Sequence, residues 1–315
     1  MKRFCLAEDI MPTRLITLSA REHVFDGIGF LLEQGISGAP VTDSDGRYLG
    51  VFSEKCCLRV LTATARLVTP SEESAGEGTT AADFMIRKPI TLSPAMDVFE
   101  AIDRLLNRRI SGAPVLDEDG KFLGVFSEKT SMRVVIESAY GQLPTTRVDA
   151  FLNTDFGRVI AAETRLLGVA QKFLETPYRR LVVLRDGQLL GQISRRDVLR
   201  AEHHLSAILR GRGPARSAAD IDRRSDPFSA TIRDRLSIGV VRGFLDTQAA
   251  TISEETDLLE IARLFLETSY RRLPVLRDGN LIGLVTRRDL LCAALRLMDV
   301  APRREQAPLY LSALT

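Results

Sequence analysis

The sequence contains no run of about 18 consecutive apolar residues, the length that a helix needs to cross a membrane. The N-terminal stretch MKRFCLAEDIMP has only a short apolar segment, interrupted by Glu8 and Asp9, whereas a signal peptide needs a longer one. An excess of one charge is missing too, since 43 Lys plus Arg stand against 41 Asp plus Glu, a formal net charge of +2. We therefore expect a protein that neither spans a membrane nor is secreted. Bulk charge gives no reason to expect nucleic acid or a membrane surface as a partner.

Cysteine is scarce, and the four cysteines are Cys5, Cys56, Cys57 and Cys292. They show neither zinc spacing nor a closely spaced disulfide framework, which fits a reducing compartment and predicts a cytoplasmic protein. Motifs of catalysis are missing as well, since there is no Walker loop and no G-x-G-x-x-G. The Cys56-Cys57 pair has no histidine or acidic partner at a recognisable spacing, and the His203-His204 pair has no third ligand. We expect no catalytic residue, no metal site and no enzymatic activity.

What the sequence does contain is one phrase in four copies. Residues 270–291 read YRRLPVLRDGNLIGLVTRRDLL and residues 178–199 read YRRLVVLRDGQLLGQISRRDVL, with looser copies at 36–58 and 110–132. In each copy, two apolar stretches around an Asp-Gly turn predict a β-hairpin, and the Ser or Thr that follows begins a helix. Four copies of one phrase indicate a repeat protein.

An amphipathic helix precedes each phrase, with apolar residues at the i, i+3, i+4, i+7 spacing of one buried face. A short β-like segment precedes each of these helices, so the repeating unit is β-α-β-β-α. The four apolar quartets are Val24, Gly27, Ile28 and Leu31; Val98, Ala101, Ile102 and Leu105; Leu166, Val169, Ala170 and Phe173; and Leu258, Ile261, Ala262 and Phe265.

The copies fall into two pairs. Copies one and two have a longer hairpin turn and share ISGAPV and GVFSEK, whereas copies three and four share YRRL and VLRDG. We therefore predict that copies one and two form one module and copies three and four the other. The predicted boundaries are 1–62 and 79–140 for the first module, 147–210 and 235–300 for the second, and 301–315 for a C-terminal tail.

Linkers are predicted at residues 69–80 and 141–146, which are rich in residues that interrupt helices and strands. The arginine-rich stretch 211–229 is open to two interpretations, a phosphate-binding arm or a solvated linker. Its interleaved acidic residues, and the lack of aromatic stacking partners, favour the linker.

A β-α-β-β-α unit with an apolar-Pro-Val strand, an Asp-Gly turn and the ending G-(apolar)-(apolar)-(S/T)-x-x-D resembles the cystathionine beta-synthase (CBS) domain. The resemblance covers essentially the whole chain. It implies an α+β fold in which four CBS repeats pair into two Bateman modules. In that family each module packs two repeats about a pseudo-twofold axis, and adenine nucleotides or adenosine derivatives bind in clefts between the sheets.

The phrase (S/T)-R-R-D begins a helix in copies three and four, and it too has two interpretations. A Ser or Thr followed three residues later by an acidic residue is a capping box that stabilises the helix start. In CBS domains the same phrase is the ribose-binding motif. The arginines inside it could reach phosphates or be solvated on an exposed first turn. The ribose-binding candidates are Ser194, Asp197, Thr286 and Asp289.

Two arginine pairs stand just before apolar strands, a poor position for like charges unless an anion lies opposite. The phrase RRLPV at 271–275 resembles H-R-L-P-V in the gamma subunit of AMP-activated protein kinase, where the basic side chains hold phosphates. We expect each pair to share a cleft with the acidic residue of the other copy; the alternative is a solvated strand edge. The phosphate-binding candidates are Arg179, Arg180, Arg271 and Arg272.

Adenine needs an apolar slot, which the resemblance assigns to the strand before each first helix. Ordinary core packing explains these apolar residues equally well. The adenine-binding candidates are Val159, Ile160, Thr251 and Ile252.

Copies one and two depart from this pattern, with S-x-x-C at 53–56, S-x-x-T at 127–130, and Ser-Gly in place of Arg-Arg at 37–38 and 111–112. We expect no carboxylate or guanidinium there for ribose and phosphate, so the first module suits dimerisation or partner binding. A fragment that ends near Thr146 should fold and bind neither AMP nor ATP.

The sequence thus predicts a stand-alone regulatory protein that senses an adenosine-containing ligand through its second module and modulates a partner protein. The arginine pairs favour AMP, ADP or ATP over the sulfonium of S-adenosylmethionine. We expect a homodimer, with neither nucleic acid nor membrane among its partners. The alternative is a ligand-free structural module that mediates oligomerisation.

Overall fold

The computed structural model describes residues 5–68, 78–202 and 239–298 of the chain. Most of the linker predicted at 69–80, the arginine-rich stretch 211–229, the His203-His204 pair and the predicted tail 301–315 lie outside the described residues. None of the helices in the described ranges is both long and apolar enough to cross a lipid bilayer.

The four copies fold as the same unit, and the predicted α+β class is confirmed. Copy one contains α1 (Ala7–Ile10), β1 (Leu18–Ser19), α2 (Val24–Glu33), β2 (Gly38–Thr42), β3 (Tyr48–Ser53) and α3 (Glu54–Val68). Copy two contains α4 (Ala81–Phe84), α5 (Val98–Asn107), β4 (Gly112–Leu116), β5 (Phe122–Ser127) and α6 (Glu128–Ala139).

Copies three and four begin with short 3-10 helices, at Val148–Phe151 and Phe156–Arg158 in the third and at Val241–Phe244 in the fourth. Copy three continues with β6 (Val159–Ile160), α7 (Leu166–Glu175), β7 (Arg180–Arg185), β8 (Gln188–Ser194) and α8, whose described helical residues are 195–202. Copy four continues with α9 (Leu258–Glu267), β9 (Arg272–Arg277), β10 (Asn280–Thr286) and α10 (Arg287–Leu297).

Each sheet is an antiparallel hairpin with a short parallel first strand beside it. In copies one and three that first strand is β1 or β6, and it pairs with β2 or β7. In copies two and four it is reduced to a single parallel bridge, Leu92 to Val115 and Ile252 to Val275. The β-α-β-β-α unit expected from the sequence is therefore present four times.

Helix α5 shows why the sequence pattern folds in this way. The Asp97 side chain accepts hydrogen bonds from the backbone N–H groups of Phe99 and Glu100 at 2.8 and 3.3 Å, which caps the helix start. The predicted apolar face of α5 is fully buried, and in the other three quartets Leu258 alone is only half-buried. Gly27, the weakest quartet member by its sequence, lies where a Cβ would meet Val241 Cγ2 at 2.9 Å.

The segment before each copy packs on a different copy, and this exchange joins copies one and four and copies two and three. Leu6, in the segment before copy one, forms an antiparallel β-bridge with Asp257 of copy four. In return, Asp246, in the segment before copy four, forms an antiparallel β-bridge with Val51 of copy one. The same reciprocal exchange places Ile86 beside Gln192 and Asn153 beside Val125.

Helix packing makes a second set of contacts. Helices α6 and α10 bring copies two and four into one apolar core, whose largest buried side chains include Phe126 and Phe265. Helices α3 and α7 join copies one and three in another core, which includes Phe52 and Phe173. Around the molecule the order of copies is therefore one, four, two, three.

This order corrects the module pairing expected from turn length and shared phrases. Both the exchanged segments and the helix cores join a copy of the first kind to a copy of the second kind. Sequence similarity between copies reports which of them are alike, whereas packing depends on which surfaces are complementary. The charges described below show that unlike copies are the complementary ones.

Candidate functional site

The four copies meet around a cavity of about 440 Å³. All four copies contribute to its wall, which is polar and rich in arginine. The lining residues are Gly35, Ser37, Glu54, Arg109, Ser111, Glu128, Arg179, Arg180, Ser194, Arg196, Arg271, Arg272, Thr286, Arg287 and Arg288.

The first arginine of each pair forms a cross-link between helix-packed copies. Arg271 donates to Glu128 Oε2 from Nε at 3.0 Å and from Nη2 at 2.5 Å, which joins copies four and two. Arg179 Nη2 donates to Glu54 Oε2 at 3.1 Å, which joins copies three and one. Only 6% of Glu54 and 7% of Glu128 is exposed, so both carboxylates depend on these guanidinium partners.

The second arginine of each pair donates to a serine of the copy with which segments are exchanged. Arg272 Nη1 donates to Ser37 Oγ at 2.9 Å, and Arg180 Nη1 donates to Ser111 Oγ. Burial and then the charge of Arg271 lower the pKa of Arg180 and of Arg272 to about 10. Desolvation and repulsion therefore disfavour the charged form of these side chains in the cavity, and a bound anion would stabilise it.

The first arginine of the (S/T)-R-R-D phrase has a structural role and does not lie on an exposed first turn. Arg195 Nη2 donates to the carbonyl oxygens of Phe173, Thr176 and Tyr178 at 3.3, 3.5 and 2.7 Å, around the C-terminal end of α7. Its twofold mate Arg287 makes equivalent bonds at the end of α9. Each guanidinium satisfies carbonyls that the preceding helix leaves unpaired, so of the two alternatives for these arginines the structure excludes solvation on an exposed first turn.

The second arginine of the phrase reaches the cavity wall. Arg196 Nε lies 3.3 Å from Glu54 Oε1. Arg288 Nη1 donates to the Leu106 carbonyl at the end of α5, at 2.6 Å. These twofold mates therefore have different partners.

In both copies the (S/T)-R-R-D phrase forms a capping box at the helix start. Asp289 Oδ2 accepts from Thr286 N at 2.9 Å and from Thr286 Oγ1 at 2.6 Å, and Asp197 Oδ2 accepts from Ser194 N and Oγ at 2.8 and 2.6 Å. Ser194 and Thr286 line the cavity, whereas the two aspartates are not part of its wall. In the described part of the chain no hydrogen bond reaches Oδ1 of either aspartate, so this oxygen is available to accept from a ribose hydroxyl. The ribose role of the two aspartates stays a prediction.

The expected distribution of the arginine pairs over two clefts is not what the structure shows. Both pairs lie in one cavity together. The adenine candidates lie elsewhere. Ile160 and Ile252 are buried in the two helix cores, Val159 packs in a smaller cluster with Phe122 and Val125, and Thr251 is exposed. Their adenine role stays a prediction.

Sequence reasoning missed Glu54 and Glu128, which bring two carboxylates of copies one and two to the cavity although the ribose-motif positions 56 and 130 carry none. Both follow the serine of the SEK phrase, at the position that Arg195 and Arg287 occupy in the other copies. The sequence signal that could have revealed them is an acidic residue at a position where the related copies have arginine. The cavity is therefore built by both halves of the chain rather than by copies three and four alone.

Approximate twofold symmetry relates these contacts, exchanging copy one with two and copy three with four. Each copy of the SEK kind supplies a carboxylate and a serine, and each copy of the RR kind supplies the arginines that bind them. Two RR copies side by side would oppose like charges, whereas alternating copies pair opposite ones. This complementarity favours the alternating order of copies that the apolar cores and exchanged segments also hold together.

The wall of the cavity is strongly positive, since its residues include eight arginines and two glutamates, a formal excess of six positive charges. The described residues contain no group of three or more His, Cys, Asp or Glu side chains that could hold a metal ion. Guanidinium groups in this density suit a phosphate-bearing ligand.

Comparison with known families fits this architecture. The sequence profile described as CBS domain matches residues 7–63, 81–130, 152–204 and 241–296. The chain belongs to the CBS-domain family. The CBS domain-containing protein CBSX1, chloroplastic, of Arabidopsis thaliana is 31% identical over 166 residues, which cover 44% of this chain and 70% of that protein.

Two further CBS proteins are similar over part of the chain. The 5'-AMP-activated protein kinase subunit gamma-3 of Bos taurus is 24% identical over 200 residues, 59% of this chain and 39% of that subunit. The crystal structure of CBSX2 in complex with AMP is 27% identical with a TM-score of 0.37, and the match covers 41% of this chain and 99% of that chain.

Proposed function

We propose that this CBS-domain protein binds an adenosine-containing ligand, with AMP, ADP or ATP as the ligands, and passes its occupancy to a partner protein without catalysing a reaction. The observation that carries the proposal is the cavity wall with eight arginines and two glutamates. Burial and mutual repulsion disfavour this charge in the free protein, and a phosphate would relieve the repulsion. The AMP complex of CBSX2, a relative with the same kind of domain, supports the choice of ligand.

The phosphate is assigned to the arginine pairs. Arg180 and Arg272 line the cavity, and each uses one guanidinium nitrogen on a serine hydroxyl, which leaves further N–H donors of the guanidinium for a phosphate. The ribose is assigned to the Ser194-Asp197 and Thr286-Asp289 caps, where Oδ1 can accept from sugar hydroxyls while Oδ2 keeps the cap. Adenine is assigned to the strand before each first helix, through Val159, Ile160, Thr251 and Ile252.

Ligand occupancy can change contacts between copies because carboxylates and phosphates use the same guanidinium groups. Glu128 holds Arg271 across the junction of copies two and four, and Glu54 holds Arg179 across the junction of copies one and three. A phosphate that binds these arginines competes with both carboxylates. The junctions between copies are therefore the elements through which occupancy would reach a partner.

A ligand-free structural module is the second candidate, and the same two ion pairs favour it. Each lies between two copies, with side-chain exposure of 22% and 9% for Arg271 and Glu128 and 25% and 8% for Arg179 and Glu54. In this alternative the arginines hold the copies together and bind nothing else.

A panel of AMP, ADP, ATP, adenosine and S-adenosylmethionine, measured by thermal shift and calorimetry, separates the two functions. A ligand at about 100 times its Kd stabilises the native protein by roughly 2.7 kcal/mol, which for a chain of 315 residues raises Tm by about 4 to 5 °C. Equal binding of AMP and adenosine, or no binding at all, would leave the structural function as the better account. The expected homodimer stays a prediction that light scattering tests in the presence and absence of ligand.

A further inference from the structure

Arg109 occupies a backbone position that suits glycine. It follows helix α5 with φ of 53°, and its twofold mate Gly35 follows helix α2 with φ of 63°. Glycine adopts this left-handed conformation readily, whereas a residue with a side chain is strained in it. Both residues line the cavity, so copy two places an arginine where copy one has the residue that the backbone favours.

The Arg109 guanidinium has no partner in the part of the chain that the structure describes. The contact that fixes the residue is a backbone one, from Arg109 N to the Leu106 carbonyl at 3.2 Å. The same carbonyl accepts from Arg288 Nη1 at 2.6 Å, so Arg109 and Arg288 meet at the end of α5. The Arg109 backbone and the Arg288 guanidinium therefore share one carbonyl, and both arginines line this side of the cavity.

The opposite side of the cavity differs. There Gly35 contributes no charge, and Arg196, the twofold mate of Arg288, lies 3.3 Å from the Glu54 carboxylate. Glu54 thus balances Arg179 and Arg196, whereas Glu128 has Arg271 as its ion-pair partner in the described residues. The excess positive charge of the cavity is concentrated on the side of copies two and four.

We propose that Arg109 and Arg288 form an anion subsite with no twofold counterpart, which binds a terminal phosphate of a ligand that carries two or more phosphates. This inference rests on the proposed function and narrows its ligand to a nucleoside di- or triphosphate in one orientation. The arginine pairs are present on both sides and take the first phosphate. Arg109 and Arg288 line the cavity on one side only, and guanidinium N–H groups are donors that phosphate oxygens accept.

The test is the Arg109→Gly variant, which installs the residue that copy one carries at this position. Because glycine suits the backbone, the Tm of the free protein should stay the same or rise. By calorimetry, affinity for ATP and for inorganic tripolyphosphate should fall about tenfold, the loss expected of one charge-assisted contact, whereas affinity for AMP should change less than twofold. Arg104→Ala removes an equal charge from the exposed side of the same helix and should change neither affinity.

The outcomes separate this inference from the proposed function. A wild-type protein that binds AMP and ATP, together with an Arg109→Gly variant that weakens both equally or neither, overturns the subsite and leaves the proposed function standing. A wild-type protein that binds tripolyphosphate through Arg109 but binds no adenine nucleotide supports the subsite and overturns the adenosine ligand. If the wild type binds none of these probes, both are wrong.

Discussion

Replacing Glu128 by Gln tests whether the buried carboxylates compete with the ligand. The substitution keeps the size of the side chain and removes the charge that Arg271 binds at 2.5 and 3.0 Å. Breaking a buried ion pair costs about 3 to 5 kcal/mol, and because 22% of the Arg271 side chain is exposed we expect about 3 kcal/mol. For a protein of 315 residues that lowers the Tm of the free protein by roughly 4 to 6 °C.

The ligand should respond in the opposite direction. In the Glu128→Gln variant a phosphate meets an Arg271 guanidinium that no carboxylate occupies, so AMP and ATP should bind about tenfold more tightly, a gain of about 1.4 kcal/mol. At a fixed ligand concentration well above Kd, the ligand-induced rise in Tm should therefore grow by roughly 2 to 3 °C. Differential scanning fluorimetry with and without nucleotide measures both effects in one experiment.

The matched control lies on the same helix. Glu137 pairs with Arg133 at 3.0 Å with exposed fractions of 28% and 53%, and a surface pair of this kind contributes at most about 1 kcal/mol. Glu137→Gln should therefore change Tm by no more than a few degrees and leave the nucleotide affinity as it is. If Glu128→Gln weakens nucleotide binding, or behaves like Glu137→Gln, the carboxylate does not compete with phosphate and the reasoning fails.

Three further predictions concern other parts of the same framework. Arg272→Ala should leave the Tm of the free protein within a degree or two and weaken the binding of AMP about tenfold without changing that of adenosine, since a charge-assisted bond contributes about 1.5 to 3 kcal/mol. Calorimetry measures both affinities. The control is Arg277→Ala, which removes an exposed arginine of the same strand, β9, that pairs with Glu254. Arg195→Ala should instead destabilise the free protein by roughly 1.5 to 3 kcal/mol, because it leaves the α7 carbonyls unpaired, and urea unfolding measures the difference. The sequence predicts that a fragment of residues 1–146 folds, but from the structure we expect it to be largely unfolded by far-UV circular dichroism, because copies three and four complete its sheets and cores. A stable monomeric fragment with native-like helix content would contradict the exchange.

The repeating unit could be predicted because its causes are local. Apolar spacing, Asp-Gly turns and helix-start residues act within a few positions of the chain, and they recur four times. The Asp278-Gly279 turn, for example, has positive φ at both residues, 50° and 80°, as a tight hairpin requires.

The roles of the two arginines in (S/T)-R-R-D could not be predicted, because the local sequence does not distinguish two adjacent arginines at a helix start. Arg195 turns back to the end of its own copy's first helix, and Arg196 points to a carboxylate of another copy. Only the position of copy one beside copy three distinguishes them. The order of copies was missed for the same reason, since it depends on a charge complementarity between Glu54 and Arg179 that spans 125 positions of sequence.

The exchanged segments also give the chain a nested connectivity, with copies two and three enclosed by copies one and four. During synthesis the inner pair can close first, when Asn153 reaches Val125 and Gln192 reaches Ile86. The edge of strand β3 stays unpaired much longer, because Asp246, which pairs with Val51 of this strand, is synthesised about 195 residues later. At ordinary ribosome speeds this delay is roughly 10 to 40 s. An unpaired strand edge on the first quarter of the protein is therefore exposed until the last quarter leaves the ribosome, and this interval is when the nascent chain is most open to mispairing with another copy of itself.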